Sequence, residues 1–151
     1  MSSFYAVAST NEKPLRGDSC GGDSKITLQG YGYGEGVIGA LKKDDGTVVC
    51  ARCEIADRPF KRMRGLLGRS SLAPDEGMLF RPAGSIHMFF MRFPIDAVFC
   101  DRDLVVIDVE RGLQPWKTAG RKAAKVVVEL APGAAAELRP GDRLVLDTIE
   151  T

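Results

Sequence analysis

The stretch Ser85-Ile-His-Met-Phe-Phe-Met-Arg-Phe-Pro-Ile-Asp-Ala-Val-Phe-Cys100 decides how the rest of the chain is read. Beyond Ser85 its side chains are apolar except for His87, Arg92 and Asp96. On either side of Pro94 it reads as two short strands, Ile86 to Phe90 and Ile95 to Cys100. Successive side chains of a strand point to opposite faces. Ile95, Ala97 and Phe99 therefore share one face, and Asp96, Val98 and Cys100 share the other. Asp96 is thus a carboxylate set among apolar neighbours. Burying it unpaired costs several kcal/mol, so it requires a cation, hydrogen-bond donors or an upward pKa shift.

The surrounding segments extend the same pattern. Thr47 to Ala56, Met78 to Phe80, Leu104 to Val109, Lys125 to Leu130 and Arg143 to Ile149 read as further strands. Asp101-Arg-Asp103 suits a tight hairpin, Pro132 to Leu138 a brief helical or 3₁₀ turn, and Pro140-Gly-Asp142 another turn. Asp57 stands where an N-cap belongs, and Phe60, Met63, Leu66 and Leu67 recur at helical spacing before Gly68, which predicts one helix there. The expected fold is mainly β: a compact antiparallel sandwich or barrel-like domain of about seven short strands with one packed helix.

Residues 1–46 carry 9 of the 17 glycines and few large aliphatic side chains, so they read as a flexible leader ahead of a single domain over 47–151. The formal net charge of +1 gives no general attraction to nucleic acid or an anionic membrane. No apolar run approaches the ~20 residues of a membrane span, and no signal-peptide pattern opens the chain. A cytoplasmic monomer with reduced cysteines is expected, with neither nucleic acid nor membrane among its partners.

Gly34-Glu-Gly36-Val-Ile-Gly39 matches the dinucleotide fingerprint, but Asp44-Asp-Gly46 leaves no room for the full helix that the phosphate-binding turn requires. Cys50-Ala-Arg-Cys53, with His87 and Cys100, offers zinc-type ligands. Positions i and i+3 on a regular strand diverge, however, and no Gly or Pro forms a knuckle. No metal and no cofactor is implied. Lys117, Arg121, Lys122 and Lys125 beside Trp116 form a basic cluster with too few aromatics for a nucleic-acid surface, and a solvated loop face is the simpler reading.

For Asp96 the simplest partner is an arginine, drawn from Arg92, Arg62, Arg64 and Arg69, in a structural ion pair. The functional counterpart is a pocket in which Asp96, His87 and an arginine bind a ligand or perform acid–base chemistry. His87 is the chain's single histidine, and no serine or cysteine lies in a recognisable nucleophile turn.

Arg64-Gly-Leu-Leu-Gly-Arg69, Gly77-Met-Leu-Phe80, Ile86 to Phe99, Pro115-Trp116, Val128-Glu-Leu130 and Gly141-Asp142 together resemble domain of unknown function 192, a bacterial and archaeal group described as uncharacterised ACR. The resemblance covers about residues 47–149. It implies a compact, mostly β fold and no established activity. It marks Arg64, Gly65, Arg69, Met78, His87, Met91, Arg92, Asp96 and Glu129 as signature positions. The candidate binding residues are accordingly Arg64, Arg69, His87, Met91, Arg92, Asp96 and Glu129. The expected function is a non-catalytic accessory domain that binds a small molecule or protein through an Asp96–arginine network. The alternative is a hydrolase using Asp96 as base with His87 and an arginine.

Overall fold

A computed structural model describes residues 38–56 and 66–148. Nine strands run through them: β1 (Ile38–Lys43), β2 (Val48–Ala56), β3 (Glu76–Phe80), β4 (Ser85–His87), β5 (Ile95–Cys100), β6 (Val106–Leu113), β7 (Thr118–Gly120), β8 (Val126–Leu130) and β9 (Leu144–Thr148). Seven of these form one sheet in the order β6-β5-β8-β3-β2-β1-β9, while β4 and β7 pair separately as a small ribbon.

The sheet curls on itself. The residues at its two edges meet through an isolated bridge, Val105 to Arg143, supported by backbone bonds from Val106 to Asp142 and from Leu144 to Leu104. This closure removes exposed strand edges at that seam. Inside lie Leu41, Cys50, Ile55, Leu79, Val98, Val128, Leu130 and Leu144. The residues that alternate with them form the outer face, where Met78, Phe80 and Ile95 pack beneath Met88, Met91 and Phe93. Beside these, Ala97, Phe99 and Val127 meet Ile86 of β4 and Ala119 of β7. The interior strands β5 and β8 have every residue buried and are apolar apart from Asp96 and Glu129.

The barrel-like, mainly β expectation holds, with three corrections. First, the sheet begins before residue 47. β1 pairs with both β2 and β9, and Leu41 is fully buried. The glycines around it hide a strand whose Ile38, Ala40 and Leu41 suffice once two neighbours supply its ladder. The strand also occupies the stretch where the dinucleotide fingerprint would need its helix. Second, the sheet is mixed, because β2 and β3 run parallel. A parallel pair needs a long crossover, and residues 57–75 provide it. Third, β7 lies in the basic cluster expected to be a loop, and β4 ends at His87 instead of reaching Phe90. No helix occurs among the described residues. The one expected from Asp57 onward falls mostly on residues 57–65, outside them.

The cysteines need a further correction. Gly39 pairs with Cys53 and Leu41 with Cys50, so a bulge at Ala51 and Arg52 shifts the register of β2. Both thiols consequently point inward, in one core cluster with Cys100. The three described cysteines are free. A hydrogen bond between the thiols holds Cys50 below its ordinary pKa and raises Cys53. Burial pushes Cys100 up to about 12. No described helix is long and apolar enough to cross a membrane.

If β1 is integral, Leu41→Ala will lower the unfolding free energy by about 3 kcal/mol in a denaturant melt. An unchanged melt would return residues 38–46 to a solvated leader.

Candidate functional site

Asp96 is the most buried charged residue described, with 1% of its surface exposed. Its partners are backbone donors. Gly112 donates its N–H to Oδ1 at 2.9 Å, while Gly133 and Ala135 donate to Oδ2 at 2.9 and 3.1 Å. Gly112 adopts φ 63° and Gly133 φ 87°, left-handed conformations that glycine takes without a side-chain clash. The Pro132–Leu138 segment forms successive tight turns, with N–H to C=O bonds from Ala134 to Ala131, Ala136 to Gly133 and Leu138 to Ala135. Ala135 and Leu138 from this segment enter the inner core.

An arginine does take part, but not as a partner of the carboxylate. Arg111 Nη2 donates to the carbonyls of Ala135, Ala136 and Leu138, the last at 2.6 Å. Asp96 thus gathers the N–H groups of this plug segment and Arg111 gathers its carbonyls. The Asp96–arginine network expected from the sequence is absent among the described residues. Charge-assisted bonds to three amides satisfy the carboxylate without a guanidinium. Arg69 instead reaches Glu54 and Glu76, at 3.5 and 3.6 Å. Arg92 is exposed, and Arg62 and Arg64 lie outside the described residues.

Glu129 is the second buried carboxylate, 7% exposed. It lies on the outer face in a row set by strand pairing, Glu54–Met78–Glu129–Ala97–Glu110. Its immediate neighbours across the strands are therefore Met78 and Ala97, both apolar. No hydrogen bond or ion pair answers it among the described residues. Desolvation alone pushes its carboxyl up to about 7. Asp96 and Glu129 belong to opposite faces and form no dyad.

His87 is also remote from Asp96. It ends β4 exposed, and its ring stacks on Phe89 at 5.1 Å. Phe89 tilts against Trp116 at 6.3 Å, and Phe90 meets Trp116 edge-on at 5.0 Å. Phe89, Phe90 and Trp116 are 41%, 71% and 60% exposed, so four rings gather in solvent at one end of the ribbon. The backbone fixes them: Met88 accepts from the N–H of Trp116 at 2.8 Å and donates to Lys117 at 2.7 Å. Phe90 and Trp116 hold φ of 64° and 68°, a region costly for bulky residues. Met91, by contrast, is buried beneath this loop.

At the other end of the ribbon an open groove of about 520 Å³ is lined by Pro82–Ser85 and by Gly120, Arg121, Lys122, Ala124 and Lys125. Arg121 bridges Asp108 and Glu110 of β6 and lies 5.0 Å above the Phe99 ring. That pairing holds Asp108 below the usual carboxylate range. Sequence reasoning missed Phe89 and Phe90 as exposed groups because their run looks like core. It missed Gly112, Gly133 and Ala135 because backbone donors carry no residue signature. Among the described residues no three His, Cys, Asp or Glu side chains gather to hold a metal ion.

The family model for domain of unknown function 192, described as Uncharacterized ACR, matches residues 40–146. A UPF0127 protein of Thermococcus sibiricus is 37% identical over 101 residues, 62% of this chain and 63% of the relative. The chain thus spans less than two thirds of that relative's length. A UPF0127 protein of Pyrococcus abyssi is 38% identical over 85 residues, 52% of this chain and 69% of the relative. A crystal structure from Sinorhizobium meliloti, put forward as a transcription regulator, is 25% identical with TM-score 0.66, covering 76% of this chain and 98% of that one. A Novosphingobium aromaticivorans protein of unknown function, 24% identical with TM-score 0.61, shares the fold over 72% of this chain and 83% of its own.

Two stability predictions follow from the carboxylates. Asp96→Asn will lower stability by about 3 kcal/mol, because an amide nitrogen faces amide donors, whereas Arg92→Ala will change it by less than about 0.5 kcal/mol. Equal losses would restore an ion pair. For Glu129 the folded carboxyl keeps its proton up to about 7. The unfolded one loses it near 4.3, so stability falls as pH rises between those values and is level above. The total is about 4 kcal/mol, and Glu129→Gln will abolish the slope and stabilise the protein at pH 8.

Proposed function

The chain belongs to the Uncharacterized ACR family, domain of unknown function 192, and we propose that it is a non-catalytic binding domain whose working face is the β4–β7 ribbon with its aromatic end. The observation that carries this reading is the ring group His87, Phe89, Phe90 and Trp116, held in solvent on backbone that costs free energy to maintain. Strained, exposed aromatics add little to folding, and such groups concentrate at ligand clamps and binding anchors.

The hydrolase alternative loses its support. Asp96 has its lone pairs committed to amides and almost no solvent access, and His87 projects from a different part of the molecule. A base must reach the proton it takes. The description of the Sinorhizobium protein as a transcription regulator accords with binding rather than turnover. We read the domain as a cytoplasmic protein, in keeping with its free thiols.

Trp116 is the chain's single tryptophan, so its fluorescence reports on this face alone. Titrations with malto-oligosaccharides, an acidic and a basic peptide, oligothymidylate, and phosphatidylserine-containing vesicles are expected to blue-shift or quench it for at least one class. Phe90→Gly will remove that response while leaving stability within about 1 kcal/mol, since relief of the left-handed strain offsets the lost ring contact. No response from any class would contradict the reading.

A further inference from the structure

We propose that the β4–β7 ribbon is a docking strip for single-stranded nucleic acid, with phosphates along the groove at Lys122 and Lys125 and bases stacked on Phe89, Phe90 and Trp116. The inference rests on the binding-face reading and deepens it by naming the ligand class.

Charge segregation is the first support. Residues 81–92 and 114–125, which build the ribbon and its two ends, contain Arg81, Arg92, Lys117, Arg121, Lys122 and Lys125 and no Asp or Glu. A chain with a net charge of only +1 therefore places six cations and no carboxylate in these two segments. Arg121 alone among them is neutralised, by Asp108 and Glu110. The other five are exposed and enter no ion pair among the described residues.

Stacking surface is the second. The basic cluster beside Trp116 looked too poor in aromatics to hold bases. The fold supplies the missing rings by bringing the β4–β5 loop against the β6–β7 loop, so that Phe89 and Phe90 meet Trp116. A cationic groove followed by exposed aromatic faces is the arrangement by which single strands are held without sequence preference.

Continuity is the third. Ser85 pairs with Gly120 and His87 with Thr118, and these four are the outward residues of the ribbon, while Ile86 and Ala119 turn to the core. A Cβ at Gly120 would stand 2.9 Å from Cβ of Ser85, so glycine keeps the path flush. At about 3.3 Å per residue the paired strands set groove and rings roughly 10 Å apart. Arg92 and Lys117 lie beside the rings and Lys122 and Lys125 at the groove, so exposed cations recur along the length of the strip, which suits a chain ligand with a repeating charge.

The test is fluorescence anisotropy of the full chain with labelled oligothymidylate of about 12 nucleotides, within the range such a surface covers. The same measurement is made with a duplex of equal length, and binding to phosphatidylserine vesicles is followed by sedimentation. Saturable binding of the single strand is expected, tighter than the duplex, with Trp116 quenched and affinity falling steeply with salt. Phe90→Ala should weaken it at least fivefold at any salt. Paired Lys122→Ala and Lys125→Ala substitutions, remote from the core, should flatten the salt dependence. Equal affinity for duplex, or binding to vesicles alone, overturns the assignment. If oligothymidylate fails while an oligosaccharide or peptide shifts Trp116, the nucleic-acid assignment falls and the binding face stands; if nothing shifts it, both fall.

Discussion

A single carboxylate organises one end of this barrel. Asp96 points inward from β5 into an otherwise apolar interior, where an unsatisfied charge would be prohibitively costly. The cost is avoided because two separate segments bend to present amides: the end of β6 at Gly112 and the plug at Gly133 and Ala135. Arg111 then secures the plug from its carbonyl side. Neither charge touches the other, yet both bind the same turn. The opposed charges act through the polarised backbone between them, and the turn they hold carries Ala135 and Leu138 into the barrel end.

This division of labour separates the two faces of the sheet. The inner face is closed by apolar packing and by the Asp96 clamp. The outer face is less completely satisfied. It carries Glu129, which has no hydrogen-bond or ion-pair partner among the described residues, the Arg69 contacts to Glu54 and Glu76, and the ribbon with its rings and cations. Among the described residues the desolvated carboxyl of Glu129 and the left-handed aromatic residues Phe90 and Trp116 lie on this side, and the binding face is proposed there on that ground.

Much of this was legible in the chain. The alternation in Ile95–Cys100 revealed a buried Asp96 and the need for donors, and the closely spaced turns revealed a barrel-like β domain. The family signature pointed to Glu129 and His87. What could not be read has a common physical cause. The donors to Asp96 lie 16, 37 and 39 residues away and are main-chain groups, which every residue type except proline shares. β1 has weak propensity and exists through its two partners. The bulge at Ala51 and Arg52 turns two cysteines to one side against the simple period of two. Phe89 and Phe90 have the composition of core, and only the end of β4 at His87 leaves them in water.

The clamp can be observed directly by amide hydrogen exchange. Under native conditions the N–H groups of Gly112, Gly133 and Ala135, none of them paired in a strand ladder, are predicted to exchange as slowly as the interior strands β5 and β8, because they open only when the barrel end unfolds. Exchange at the rate of the exposed hairpin amides around Arg102 would show that the carboxylate is not held by these donors, and the account of Asp96 would be wrong.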